Sequence, residues 1–183
     1  GILDARGKIY AKRKIPTRAE RGYKAIAEDM RDLAQALAEE SHIPFSQVRA
    51  LGVGSPGIVD SAAGTVLSNC NLGWENVPIA AELAKLTQKP AFALNDANAA
   101  ALGESKWGAG GGFSSVVLVT LGTGIGSGIV VEGKLVEGFH GAGAELGHTT
   151  IRKNGKLCAC GRRGCFEKYA SATALIEETR RAM

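Results

Sequence analysis

Three of the chain's four cysteines fall within residues 158–165, in the stretch "LCACGRRGC" that begins at Leu157. Nothing else in the 183 residues limits the local fold so tightly. A segment that crowds three thiols must bend sharply, and Gly161 and Gly164 supply residues that tolerate the bends. A Cys-x-Cys pair is too short for an unstrained disulfide between its own members, whereas a C-x-C-x4-C loop can turn three sulfurs inward. His148 lies ten residues before Cys158, at the end of "GAELGH". With Cys158, Cys160 and Cys165 it completes a Cys3His tetrahedron of the closed kind that holds structural zinc. The alternative at this point is a loop of reduced cysteines beside a solvated histidine.

Clustered thiols of this kind fit a reducing compartment, where disulfides are unlikely and thiolates serve as metal ligands or redox groups. No apolar run approaches the ~20 residues of a membrane-spanning helix, and the opening "GILDARGKIYAKRK" lacks the apolar stretch of a secretory signal. A cytoplasmic address with no membrane partner is therefore expected. The net charge of +4 comes from 22 basic and 18 acidic residues that are interspersed, as in "AEDMRDLAQALAEE". No basic stripe carries aromatics between its charges, so no nucleic-acid partner is expected within this window. Cys70 stands apart and reads as a small buried apolar side chain.

Hydrophobic residues make up 45% of the chain, enough for a substantial core. Tyr23, Ile26, Ala27, Met30, Leu33, Ala34, Leu37 and Ala38 fall at three- and four-residue spacing, which predicts a helix over 19–40. Residues 48–54, 65–68 and 90–94 read as short buried strands, with helical patterns at 79–88 and 96–106. That alternation predicts an α/β fold. The glycine-dense stretch "WGAGGGFSS", 107–115, reads as a boundary between an N-terminal α/β lobe, 1–107, and the start of a second, 108–183. After it, 116–138 reads as strand, glycine-rich turn, strand, tight turn at Glu132-Gly133, strand. Its last part, "GIVVEGKLVEG" (128–138), resembles the chain's first residues, "GILDARGKIYA" (1–11). If each lobe opens with the same meander, a strand and a glycine turn belong before Gly1. The chain also stops at Met183 at the end of a helical pattern, so the sequence reads as truncated at both ends.

Several other stretches bear on chemistry. "LGTGIGSG" (121–128) offers backbone amides with little side-chain bulk, which suits close approach to phosphate oxygens. No Gly-Lys-Ser/Thr follows, so it is not a Walker loop, and a plain glycine-rich hairpin looks the same. In "FALNDANAAALGE" (92–104), Asn95 and Asp96 end a strand and open a helix. They serve equally well as helix caps or as ligand groups at the carboxyl end of a buried strand. "GVGSPGIVD" (52–60) and "NLGW" (71–74) read as plain loops or as a crevice wall in which Asn71 meets hydroxyls.

Together, "GVGSPGIVD", "NLGW", "LNDANAAALGE", "LGTGIGSG", "GAGAELGH" and "CACGRRGCFE" resemble, in order and approximate spacing, the ROK family of sugar kinases and related repressors. The resemblance runs from about residue 52 to 171 and is strongest to the family's glucokinases. It implies an actin-like, ribonuclease-H-type α/β fold of two lobes with the active site between them. It also implies phosphoryl transfer from magnesium-bound ATP to a hexose, most simply glucose to glucose 6-phosphate. Asp96 would be the general base, at a helix end whose dipole favours negative charge. Gly57, Asn71, Asn95, Asp96, Glu145, His148 and Glu167 would contact the sugar, and Gly122, Thr123, Gly124 and Gly126 the ATP phosphates. Zinc would sit on His148, Cys158, Cys160 and Cys165, and a homo-oligomer, dimer or tetramer, is expected. The alternatives within the resemblance are a kinase for N-acetyl-hexosamine or fructose, and a sugar-sensing repressor.

Two departures stand out. Ser127 occupies a position where the family's pattern has glycine, and the family's N-terminal Asp-x-Gly-Gly-Thr phosphate loop is absent from this sequence. With one phosphate loop of two, and without most of the second lobe, the chain by itself is expected to be inactive.

Overall fold

The first eleven residues form an antiparallel hairpin of β1, Ile2–Leu3, and β2, Ile9–Ala11. The computed structural model describes residues 1–183 and continues with α1, Gly22–Glu40. The helix starts three residues later than the periodicity predicts, because 19–21 form a 3-10 turn and Gly22 takes φ +79°. Ile26, Ala27, Leu37 and Ala38 of the predicted stripe are buried. β3, Leu51–Ser55, is followed by an antiparallel meander of β4, Ile58–Asp60, β5, Thr65–Asn69, and β6, Trp74–Val77. α2, Ile79–Thr87, then returns the chain to β7, Ala91–Asn95. β7 lies parallel to β3, with Leu51 opposite Ala91 and Ser55 opposite Asn95. Val59, Val66, Trp74, Ile79 and Leu83 form the centre of this core with Ile26 and Ala27. Ile79 and Leu83 are wholly buried, worth about 1.5–3 kcal/mol each in area removed from water.

α3, Asp96–Trp107, leads to a second antiparallel sheet of order β10-β9-β8. Its strands are β8, Val116–Leu121, β9, Ile125–Val131, and β10, Lys134–Leu135. A 3-10 turn at Leu146–His148, the cysteine loop, α4, Glu167–Ala170, and α5, Ala172–Ala182, complete the chain. β9 and β10 meet through a two-residue turn in which both Glu132 and Gly133 have positive φ. In the hairpin of β1 and β2, Gly7 has φ +81°, against +73° for Gly133 in the matching Gly-Lys-aliphatic triplet.

Two compact units result, Gly1–Asp96 and Ala97–Met183. They divide eleven residues before the glycine-dense linker that the sequence suggested as the boundary. The reason lies in β9: a Cβ on Gly128 would stand 2.5 Å from the Ala101 Cβ and 2.8 Å from the Ala97 carbonyl oxygen. α3 is thus packed on the second sheet, and glycine on β9 is what admits it. Cys70 also departs from expectation. It is exposed, because β5 ends at Asn69 and leaves Cys70 in the following turn.

Candidate functional site

In the first unit, the carboxyl ends of β3 and β7 place Ser55 opposite Asn95, the kind of position where α/β sheets form ligand crevices. Asn95 Nδ2 donates to the Gly57 carbonyl at 3.0 Å. Gly57 has φ +91°, and a Cβ there would fall 2.1 Å from the Ser68 carbonyl oxygen, so only glycine fits. Asn69, buried at the end of β5, donates through Nδ2 to the Pro56 carbonyl at 2.8 Å. Its Oδ1 accepts from the backbone N–H groups of Asn71 (2.9 Å) and Leu72 (3.1 Å). One amide therefore ties the Gly57 turn to the Asn71 turn, and the network runs on to Asn95. Asp96 follows at once, exposed, in the first turn of α3. Sequence reasoning missed Asn69. Its signal was a polar residue closing the apolar strand "TVLSN", where an unpaired amide would be expensive to bury.

In the second unit, β9 is the platform. Gly147 packs directly on it, since a Cβ there would stand 2.1 Å from the Ile125 carbonyl oxygen. That contact seats the 3-10 turn ending in His148, with Glu145 exposed just before it. Ahead of β9 lies the turn 122–124, closed by Gly122 N–H donating to the Gly124 carbonyl at 3.0 Å. Packing accounts for glycine at 124, 126 and 128: their Cβ atoms would meet Glu167, Thr120 with Ala97, and Ala101 respectively. A Cβ on Gly122 would meet no protein atom. Gly122 and Thr123 are exposed, so this end of the turn leaves its backbone accessible. α5 anchors it from behind, with Ala172 N–H donating to the Gly122 carbonyl at 2.9 Å.

The cysteine loop is a small hairpin with Leu157 bridged to Arg163. Gly161 (φ +85°) and Gly164 (φ +82°) make its bends, and a Cβ on Gly164 would collide with the Arg152 carbonyl oxygen at 1.8 Å. The ligand atoms of His148, Cys158, Cys160 and Cys165 all lie within 4.8 Å of one another. His148 Nδ1 is 3.6 Å from Cys158 Sγ, and Cys160 Sγ is 3.6 Å from Cys165 Sγ. Zinc–sulfur bonds of about 2.3 Å in a tetrahedron separate the sulfurs by roughly 3.8 Å, so this donor set suits one zinc ion. Burial, helped by Glu167, pushes the metal-free Cys158 thiol up to about 12. The backbone N–H of Arg162 draws the exposed Cys160 down to about 6.

Glu167, at the start of α4, joins the two halves of this unit's site. Its Oε1 accepts from Cys158 Sγ at 3.0 Å and lies 3.9 Å from His148 Nδ1. Its Oε2 borders the glycine turn, 2.7 Å from where a Gly124 Cβ would be. Tyr169 braces the arrangement, its hydroxyl accepting from the Lys156 backbone N–H at 2.8 Å.

The second unit thus sets a glycine turn beside a carboxylate, an imidazole and a thiol cluster on an α/β framework. The chain belongs to the ROK family, which its sequence matches over residues 1–183. It is 43% identical over 176 residues to the glucokinase of Thermotoga maritima, covering 96% of this chain and 54% of that protein. It is 41% identical over 126 residues to the xylose repressor of Caldicellulosiruptor bescii, covering 69% of this chain and 32% of the repressor. Among solved structures, the ROK family glucokinase from Streptomyces griseus in complex with glucose and AMPPNP superposes with a TM-score of 0.82 at 37% identity, over 99% of this chain and 56% of that one. The fold is the actin-like α/β fold of the ROK sugar kinases. The chain spans about half the length of these glucokinases. No helix is long and apolar enough to cross a membrane.

Proposed function

We propose that the complete gene product is an ATP-dependent hexose kinase that converts glucose to glucose 6-phosphate, and that this chain carries its acid–base residue, sugar contacts, one phosphate turn and a zinc site. The observation that carries the reading is the position of Glu167, with one carboxylate oxygen at the thiol–imidazole cluster and the other at the glycine turn. A carboxylate that holds sugar hydroxyls, set beside a turn that cradles phosphate, is the juxtaposition phosphoryl transfer to a sugar requires.

In this reading the sugar's terminal hydroxyl oxygen attacks the γ-phosphorus of magnesium-bound ATP as the bond to ADP breaks. Asp96 accepts the hydroxyl proton. The transition state is loose and the proton leaves late, so a positioned carboxylate suffices. Gly122, Thr123, Gly124 and Gly126 line the phosphates, and Asn95, Glu145, His148 and Glu167 hold hydroxyls, with Gly57 and Asn71 shaping the pocket in their own unit. Buried polar groups left unpaired by the wrong epimer give sugar selectivity. Zinc, when bound by His148, Cys158, Cys160 and Cys165, supplies rigidity. Nδ1 of His148 faces Cys158, which commits that nitrogen to the cluster and leaves Nε2 carrying the proton as a donor to the sugar. The complete protein is proposed to be a cytoplasmic homo-oligomer.

The likeness to the xylose repressor favours a second reading, a sugar-sensing repressor that uses the same pocket for an effector. ADP release by the complete gene product with glucose, mannose, fructose and N-acetylglucosamine tests both. Glucose-dependent ADP release supports the kinase. Tight sugar binding with no ADP release overturns it in favour of the repressor, and a preference for fructose or N-acetylglucosamine replaces the substrate.

A further inference from the structure

Glu145 sits in a conformation of its own. Its φ of −76° and ψ of 61° are those of the central residue of an inverse γ-turn, closed by Leu146 N–H donating to the Ala144 carbonyl at 2.9 Å. Ala144 before it has φ +65°, a left-handed backbone that a residue with a side chain keeps only when its surroundings hold it. A three-residue turn with one bent hydrogen bond holds itself poorly.

The missing restraint comes from β9. The Ser127 hydroxyl donates to the Ala144 carbonyl and accepts from Leu146 N–H at 3.0 Å. One oxygen therefore grips both ends of the turn, on either side of Glu145. Ser127 is only 7% exposed, so water competes weakly for these bonds. The next residue along, Gly147, is seated on the same strand through Ile125. Ser127 is also the position at which the sequence departs from the glycine of the family's pattern.

We infer that Ser127 is a positioning residue that fixes Glu145 for sugar binding through this bridged turn. The inference rests on the reading of Glu145 as a sugar contact and goes beyond it: the hydroxyl on β9 tunes the affinity of the pocket for its sugar while touching neither sugar nor ATP. Ser127→Ala removes both bonds with little change in volume. The turn opens, and the pocket must then order Glu145 each time sugar binds.

The test is glucose binding by calorimetry, with steady-state kinetics, on the complete gene product carrying Ser127→Ala, Ser127→Thr, Glu145→Gln and the Ser127→Ala/Glu145→Gln pair. Ser127→Ala is expected to weaken glucose binding about tenfold, the scale of a lost buried hydrogen-bond partner. The change falls on the KM for glucose, with kcat and the KM for ATP within about twofold. Ser127→Thr, which keeps the hydroxyl, restores affinity. The pair binds glucose no more weakly than Glu145→Gln alone, because the serine acts only through the glutamate. Amide exchange at Leu146 quickens in Ser127→Ala. If Glu145→Gln weakens glucose and Ser127→Ala does not, or if the two losses multiply in the pair, the inference is overturned while the sugar contact stands. If Glu145→Gln leaves glucose binding unchanged, the sugar-contact reading fails and takes the inference with it.

Discussion

Replacing Gly147 by alanine tests how β9 positions the proposed metal and sugar residues. The new Cβ would stand 2.1 Å from the Ile125 carbonyl oxygen and 3.0 Å from its carbon. Ordinary contact begins near 3.4 Å, so the turn must retreat by about 1.3 Å, since the β9 backbone is held by pairing of Ile125 with Leu121. Gly147 lies outside the left-handed region, and backbone strain therefore adds nothing. His148 is the next residue and shares the 3-10 turn, which moves its Nδ1 away from the thiols. Overpacking of this kind costs about 1–3 kcal/mol of stability. Loss of ligand orientation lowers metal affinity by about 10–100-fold. Zinc competition against a chromophoric chelator and urea unfolding measure the two effects. Zinc affinity within about twofold of wild type, with stability unchanged to about 0.5 kcal/mol, would refute the view that Gly147 seats the ligand on the strand.

Protein purified without added metal is expected to carry about one zinc per chain, set by the four-ligand cluster of His148, Cys158, Cys160 and Cys165. Less than about a third of an equivalent contradicts the site, and Cys160→Ser should weaken zinc and glucose binding together. In zinc-free protein at pH 7, iodoacetamide should label Cys160 ahead of Cys158, because one thiol is drawn down to about 6 and the other pushed up to about 12. Labelling of Cys160 should slow as the pH falls below 6. Zinc must displace the Cys158 proton, so its affinity rises with pH between 6 and 8; a flat profile contradicts this. Gly128→Ala, whose Cβ would meet α3 at Ala101 and Ala97, should lower unfolding free energy by about 1–3 kcal/mol, read by urea titration. An unchanged midpoint would contradict the packing of α3 on β9.

Much of this arrangement could be read from the residues. The apolar stripe of α1, the alternation of strands and helices, and the cysteine loop with its distant histidine all rest on local spacing, which folding preserves. What escaped depends on contacts remote in sequence. β6 is not an alternating strand: Trp74 and Val77 are buried, with Glu75 and Asn76 exposed between them and Asn76 at φ +50°. β4 has only three residues and directly follows the Gly57 turn. Asn69 looks like any polar strand end until the turns at Pro56 and Asn71 close around it. The boundary at Asp96 was hidden because a glycine-rich linker marks flexible backbone, while the allegiance of α3 is decided by glycines on β9 some thirty residues later. Ser127 showed in sequence only as a departure from glycine, and the two bonds it makes appear only once the turn at 144–146 folds against β9.

The most direct measurement compares wild-type and Asp96→Asn forms of the complete gene product for glucose-dependent ADP release and for glucose binding. An amide at position 96 can still hydrogen-bond a hydroxyl and cannot take its proton. Phosphoryl transfer should therefore fall by about 10²–10⁴-fold while glucose affinity stays within about tenfold. Retention of more than about a tenth of wild-type turnover would contradict the account, making Asp96 a residue that only opens α3.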